Sequence, residues 1–136
     1  MASIFTKIIQ REIPAYIVAE DDNHIAFLDI SPLVKGHTLV DLKKEIDYIF
    51  DINDAAYAKF QLFSKSVAIA LKMAVPCKRV GVVVIGDEVP HAHIHLIPMN
   101  IANDMSFTKP KLSFTKEEMQ EVAKTISEAY NTVVGY

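Results

Sequence analysis

The 136 residues carry 14 Lys and Arg against 17 Asp and Glu, a formal charge of −3 at pH 7, and 51% of them are hydrophobic. That length fits one domain, taken as residues 1–136 with a core over 3–98 and an extension and helix over 99–136. The acidic balance speaks against a surface that coats nucleic acid or clings to membranes, and no apolar run approaches the ~18 residues of a membrane span. Cys77 is the single cysteine, which excludes an internal disulfide and any zinc site built from several thiolates. The first residues, Met1–Lys7, lack the basic and apolar regions of a secretory signal, so the expected location is cytoplasmic, with no nucleic-acid or membrane partner.

In chain order, Ile4-Phe5-Thr6-Lys7-Ile8-Ile9 mixes apolar and polar residues as one or two helical turns would, and Pro14 stops it. Tyr16–Glu20 is β-branched and aromatic, hence a strand; Asp21-Asp22-Asn23 turns the chain, and Ile25–Ile30 returns as the second arm of a hairpin. Asp29 closes that apolar strand, where a carboxylate is either a cap for the turn into Ser31-Pro32 or a functional group. Lys35-Gly36 turns into a third strand, His37–Leu42. After a connector with a helical turn, Asp51 or Asn53 can cap a long helix. Its apolar stripe runs through Ala56, Phe60, Phe63, Val67, Leu71 and Ala74, and Pro76 ends it. The β-branched run Arg79–Ile85 reads as a central strand covered on both sides, joined to the next strand by a tight turn at Gly86-Asp87-Glu88. Residues 99–110 read as loop, with room for a short edge strand. Thr115 and Glu118 form a capping box for a last helix with Met119, Val122, Ala123, Ile126 and Tyr130 on its apolar face. The inventory is α+β: an antiparallel sheet of about five strands, a long central helix and a C-terminal helix.

Three of the five histidines stand at every second position of His91-Ala92-His93-Ile94-His95-Leu96, between Pro90 and Pro98. Strict alternation marks a half-buried strand. The imidazoles would share one face at about 6.6–7 Å spacing, with Ala92, Ile94 and Leu96 in the core. Such a row fits structural histidines, a metal site using two neighbours with His37 or Glu45, a nucleophilic imidazole flanked by phosphate-binding partners, or a nucleotide-binding module without turnover. Residue chemistry alone leaves the metal site and the nucleophile level.

The stretch His91-Ala92-His93-Ile94-His95-Leu96-Ile97 resembles the His-φ-His-φ-His-φ-φ motif of the histidine triad (HIT) family. Ile4–Ile9, Glu12–Ala15, Glu20–Asp22, Ala26–Pro32 and Gly36–Val40 resemble that family's N-terminal half in the right order, so the likeness covers roughly residues 3–98. It implies a HIT-like fold and a homodimer of the Hint-like branch that binds purine nucleoside monophosphates. The activity it implies is hydrolysis or transfer of a nucleotidyl group from phosphoramidates or related conjugates through a covalent nucleotidyl-His93. Cleavage of dinucleoside polyphosphates is the alternative within the enzymes, and a noncatalytic nucleotide-binding scaffold is the alternative outside them. By the same resemblance His95 contacts phosphate, His91 helps orient the nucleophile and His37 is a fourth active-site histidine. Asp29 binds the ribose hydroxyls, Phe5, Ile8, Phe27 and Ile30 wall the base, and Gly86 and the backbone of Glu88 approach the phosphate. Relatives that hold a structural zinc place cysteines and a histidine where this chain has Ser3, Thr6 and Glu45. Hydroxyls are poor zinc ligands, so neither metal nor cofactor is expected. Asp41-Leu42 replaces the usual Ile-Pro, and Asp87 puts a carboxylate near the phosphate site.

Overall fold

Short apolar strands with turn residues between them, and two amphipathic helices, give a layered arrangement whose sheet has a different companion on each face. The computed structural model describes residues 2–135. In order these form α1 (Ile4–Ile9), β1 (Ile17–Glu20), β2 (His24–Leu28), β3 (Thr38–Leu42), a 3₁₀ turn (Ile49–Asp51), α2 (Asp54–Ala74), β4 (Arg79–Val83), β5 (His93–Met99), a second 3₁₀ turn (Ala102–Met105) and α3 (Lys116–Val133). Among the described residues the strands make one antiparallel sheet, ordered β1-β2-β3-β5-β4.

Local chemistry accounts for the ends. Asp21 Oδ1 accepts the backbone N–H groups of Asn23 and His24, closing the β1–β2 hairpin. Asn53 caps α2 by accepting the Ala56 N–H at 3.0 Å. Thr115 and Glu118 satisfy each other's backbone N–H at 3.1 and 2.8 Å, the capping box expected for α3.

One face of the sheet carries Ala26, Val40, Ile94 and Leu96 against Phe60, Phe63, Val67 and Leu71 of α2 and Met119, Ala123 and Ile126 of α3. On the other face α1 lays Phe5 and Ile8 over Ile25, Phe27 and Leu39. Alternation along β5 sends Ile94 and Leu96 to the first face and His93 and His95 to the second. The histidines therefore share the α1 side, where cover is thin.

Three expectations about the sheet change. The run from Arg79 is an edge strand, pairing β5 alone, and Val82 is 60% exposed; a β-branched run marks a strand but does not tell centre from edge. Its link to β5 is the long loop 84–92 in place of a tight turn. The strand itself starts at His93, leaving His91 just ahead of it, and Pro98 lies inside the strand. Proline fits there because β3 stops pairing β5 at Leu96, so no neighbour on that side needs an N–H from position 98. Beyond Met99, the end of β5, the stretch to 110 holds a 3₁₀ turn and no further strand, and Cys77 is partly exposed where a buried residue was expected.

Candidate functional site

His93 and His95 are 6% and 7% exposed and open into a pocket of about 560 Å³, a size suited to a small organic ligand. Phe5, Ile8 and Phe27 form its apolar floor, and Ile30, 74% exposed, stands at the mouth. Asp29, Gly86, Asp87 and Glu88 complete the wall. Gly86 has φ +80° and a Cβ there would meet nothing within 4 Å, so its requirement is the left-handed turn and not crowding. His37 and His91 belong to the same cluster but lie fully buried behind the wall.

Backbone groups fix which nitrogen of each ring carries its proton. Leu33 N–H donates to His37 Nδ1 at 3.1 Å, so His37 keeps its proton on Nε2. That Nε2–H points at His95 Nδ1, 2.9 Å away. His95 must then carry its own proton on Nε2, the nitrogen that faces outward. His93 runs the opposite way: its Nδ1–H donates to the His91 carbonyl at 2.8 Å, which leaves Nε2 with a free lone pair. His91 donates from Nε2 to the Leu42 carbonyl at 2.6 Å and accepts from Ser3 Oγ at Nδ1, 3.0 Å. Neighbouring rings 5.0 Å apart between centroids thus present opposite chemistry, a nucleophilic lone pair on His93 and a hydrogen-bond donor on His95.

The donor chain requires neutral rings. Burial pushes His37 down to about 3 and His95 down to about 4, with neighbouring imidazoles adding to each, and burial also lowers His91. Asp29 moves the other way: burial raises its carboxyl, against the Ser31 N–H that its Oδ1 accepts at 2.8 Å. The cap expected of Asp29 is present, and the residue also lines the pocket. One oxygen caps the turn into Ser31-Pro32, and the other stays 3.7 Å from His37 Nε2 on the pocket wall.

Ser3, Thr6, Glu45 and His91, the positions that the resemblance matched to a zinc site, are brought together, but they satisfy one another. Glu45 Oε1 accepts from Thr6 Oγ1 and from the Ser3 N–H, each at 2.7 Å, and these bonds hold its carboxyl down at about 2. Hydroxyls are poor zinc ligands, and the Glu45 oxygen is already engaged in two hydrogen bonds. Asp29, His37 and His95 also place ligand atoms within 4.8 Å of one another. A cation there would have to break the His37–His95 bond and take over the tautomer order it sets.

The structure adds residues with no signal in the sequence reading. Phe107, in a stretch read as loop, sets its ring 5.0 Å from that of His95 and 6.2 Å from that of His37. Lys111 lines the pocket with its Nζ 4.9 Å from the Phe107 centroid. The main-chain groups of Leu33 and Leu42 act through folding alone and could not be seen in residue types. Asp41 stands opposite His93 in the β3–β5 ladder, fully buried, with neither carboxylate oxygen hydrogen-bonded.

Comparison with known proteins bears on this arrangement. A HIT-like protein of Borreliella burgdorferi, itself uncharacterized, is 35% identical over 132 residues, covering 91% of this chain and 95% of its own. Adenosine 5′-monophosphoramidase HNT1 of Saccharomyces cerevisiae is 36% identical over 98 residues, 71% of this chain and 62% of its own. The crystal structure of a Hit-like protein from Bartonella henselae superposes with a TM-score of 0.81 at 32% identity, covering 93% of this chain and 95% of that one. The HIT domain profile matches residues 10–101, which takes in β1 through β5 and the triad, and on that match the chain belongs to the HIT family.

Proposed function

We propose that the protein is a nucleotide hydrolase or nucleotidyl transferase that acts on purine nucleoside phosphoramidates or related conjugates through a nucleotidyl-His93 intermediate. The observation that carries this reading is the pair of opposed tautomers. His93 offers a lone pair to phosphorus while the adjacent His95 Nε2–H is free to bind a phosphoryl oxygen. Phe5, Ile8 and Phe27 provide apolar surface for a base, and Asp29 lines the same pocket, where ribose hydroxyls would reach it. The yeast relative's name, adenosine 5′-monophosphoramidase, points to the same reaction class.

In the first step His93 Nε2 forms a bond to the α-phosphorus as the bond to the leaving amine breaks, and the departing amine takes up a proton from solvent, to which the second step returns one. In the second, water attacks the same phosphorus and gives up a proton, and the bond to His93 breaks to release the monophosphate. No metal takes part in either step, and the hydroxyl and carboxylate cluster around His91 serves only to hold that ring. Incubation with adenosine 5′-phosphoramidate should trap adenylate on His93 and consume substrate. His93→Ala should do neither, and full activity in that variant would end the proposal.

The same reading includes a homodimer in the cytoplasm. Leu62, Ile69 and Met73 of α2, Val82 of β4 and Val84 and Ile85 just after it are 41–64% exposed, apolar side chains that a second copy would cover. Sedimentation equilibrium should give twice the chain mass, and a monomer at micromolar concentration would remove this part.

A further inference from the structure

The pocket is short of positive charge. Among the described residues that line it are three carboxylates, Asp29, Asp87 and Glu88, and one cation, Lys111. His95 is neutral at pH 7, so it contributes a hydrogen bond and no charge. A nucleoside monophosphate would bring up to two further negative charges, and repulsion between unit charges 4 Å apart is about 1 kcal/mol in water and several times more where water is excluded.

Lys111 is held by two contacts of its own and by one of the neighbouring Leu112. The Leu112 N–H donates to the Pro32 carbonyl at 2.9 Å, tying the segment to the turn beyond Asp29. The Lys111 ammonium donates to the Phe107 carbonyl at 3.4 Å and lies over the Phe107 ring, which itself packs edge-on to His95. Through Phe107 the ammonium is placed on the His95 side of the pocket, and its charge is felt at Asp29, His37 and His95 alike.

Building on the nucleotide reading, we infer that Lys111 is the phosphate-binding cation of this site and selects ligands by the charge on their 5′-phosphoryl group. The chain segment after the sheet thus completes a pocket that the triad alone leaves electrostatically hostile to an anion. The ligand class it favours is the nucleoside 5′-phosphate dianion over the uncharged nucleoside.

Calorimetric titration of adenosine 5′-monophosphate and of adenosine into wild type, Lys111→Met and Lys111→Arg tests this. Lys111→Met should weaken the monophosphate about tenfold or more and leave adenosine within about twofold, while Lys111→Arg should stay near wild type. The wild-type preference for monophosphate should also shrink as salt is raised. Equal loss for both ligands would mean that Lys111 only shapes the pocket, and no loss for either would mean that it binds nothing; both results overturn the inference. Tight, Lys111-dependent binding without turnover of the phosphoramidate would sink the catalytic reading and leave this one standing. Wild type that binds neither ligand would sink both.

Discussion

Asp41 is the residue whose replacement should change this protein's stability most plainly. Its carboxyl is fully buried on the middle of β3, between Ile25 of β2 and His93 of β5, and both oxygens lack a hydrogen-bond partner. Burial holds the group well above its ordinary range, so the folded protein keeps it protonated where the unfolded chain ionises it. The folded state then binds the extra proton, and stability falls as pH rises above the unfolded value of about 3.9, by about 1.4 kcal/mol per unit. The loss grows with pH until the buried carboxyl itself ionises, and its upper bound at pH 7 is on the order of 4 kcal/mol. Against a total stability of roughly 5–15 kcal/mol this is large enough to measure directly.

Asp41→Asn keeps the shape and cannot ionise. Urea unfolding followed by circular dichroism should show little difference from wild type at pH 4, with the variant becoming progressively the more stable of the two toward pH 7. Shared titrations, including those of His37, His91 and His95, cancel in the comparison. Parallel curves at all pH values, or a variant less stable at pH 7, would refute the argument by showing that Asp41 is charged and partnered in the folded chain.

Two further outcomes follow from the site. His37→Ala removes the donor to His95 Nδ1 and frees that ring to change tautomer, so kcat should fall about tenfold to a hundredfold with KM nearly unchanged; unchanged kcat would show that His95 needs no such partner. Because Ser3, Thr6, Glu45 and His91 hold one another by hydrogen bonds, a strong chelator should leave the melting temperature where it was. A lowered melting temperature with release of zinc would contradict that account.

Local patterns were the legible part of the molecule. The Thr115/Glu118 box, the stripe on α2, and the alternation that splits Ile94 and Leu96 from His93 and His95 all express a short-range period or cap. What composition could not convey is strand order: the Arg79–Val83 run looks like a sheet centre, yet folding puts it at the edge. At the site, the family pattern pointed to Asp29, His37 and the triad, and the structure gathers all of them in one cluster. Phe107 and Lys111 gave no sign, because an aromatic and a lysine in a polar stretch have no period to read. The tautomers were hidden for a different reason, since they depend on contacts such as Leu42 with His91, 49 positions apart.

The protons on His37, His91 and His93 are dictated by main-chain amide and carbonyl groups, so the relay keeps its direction whichever apolar side chain fills the buried positions 33 and 42. Proline at 33 is the exception: lacking an amide hydrogen, it would release His37 and, through it, reverse the outward face of His95.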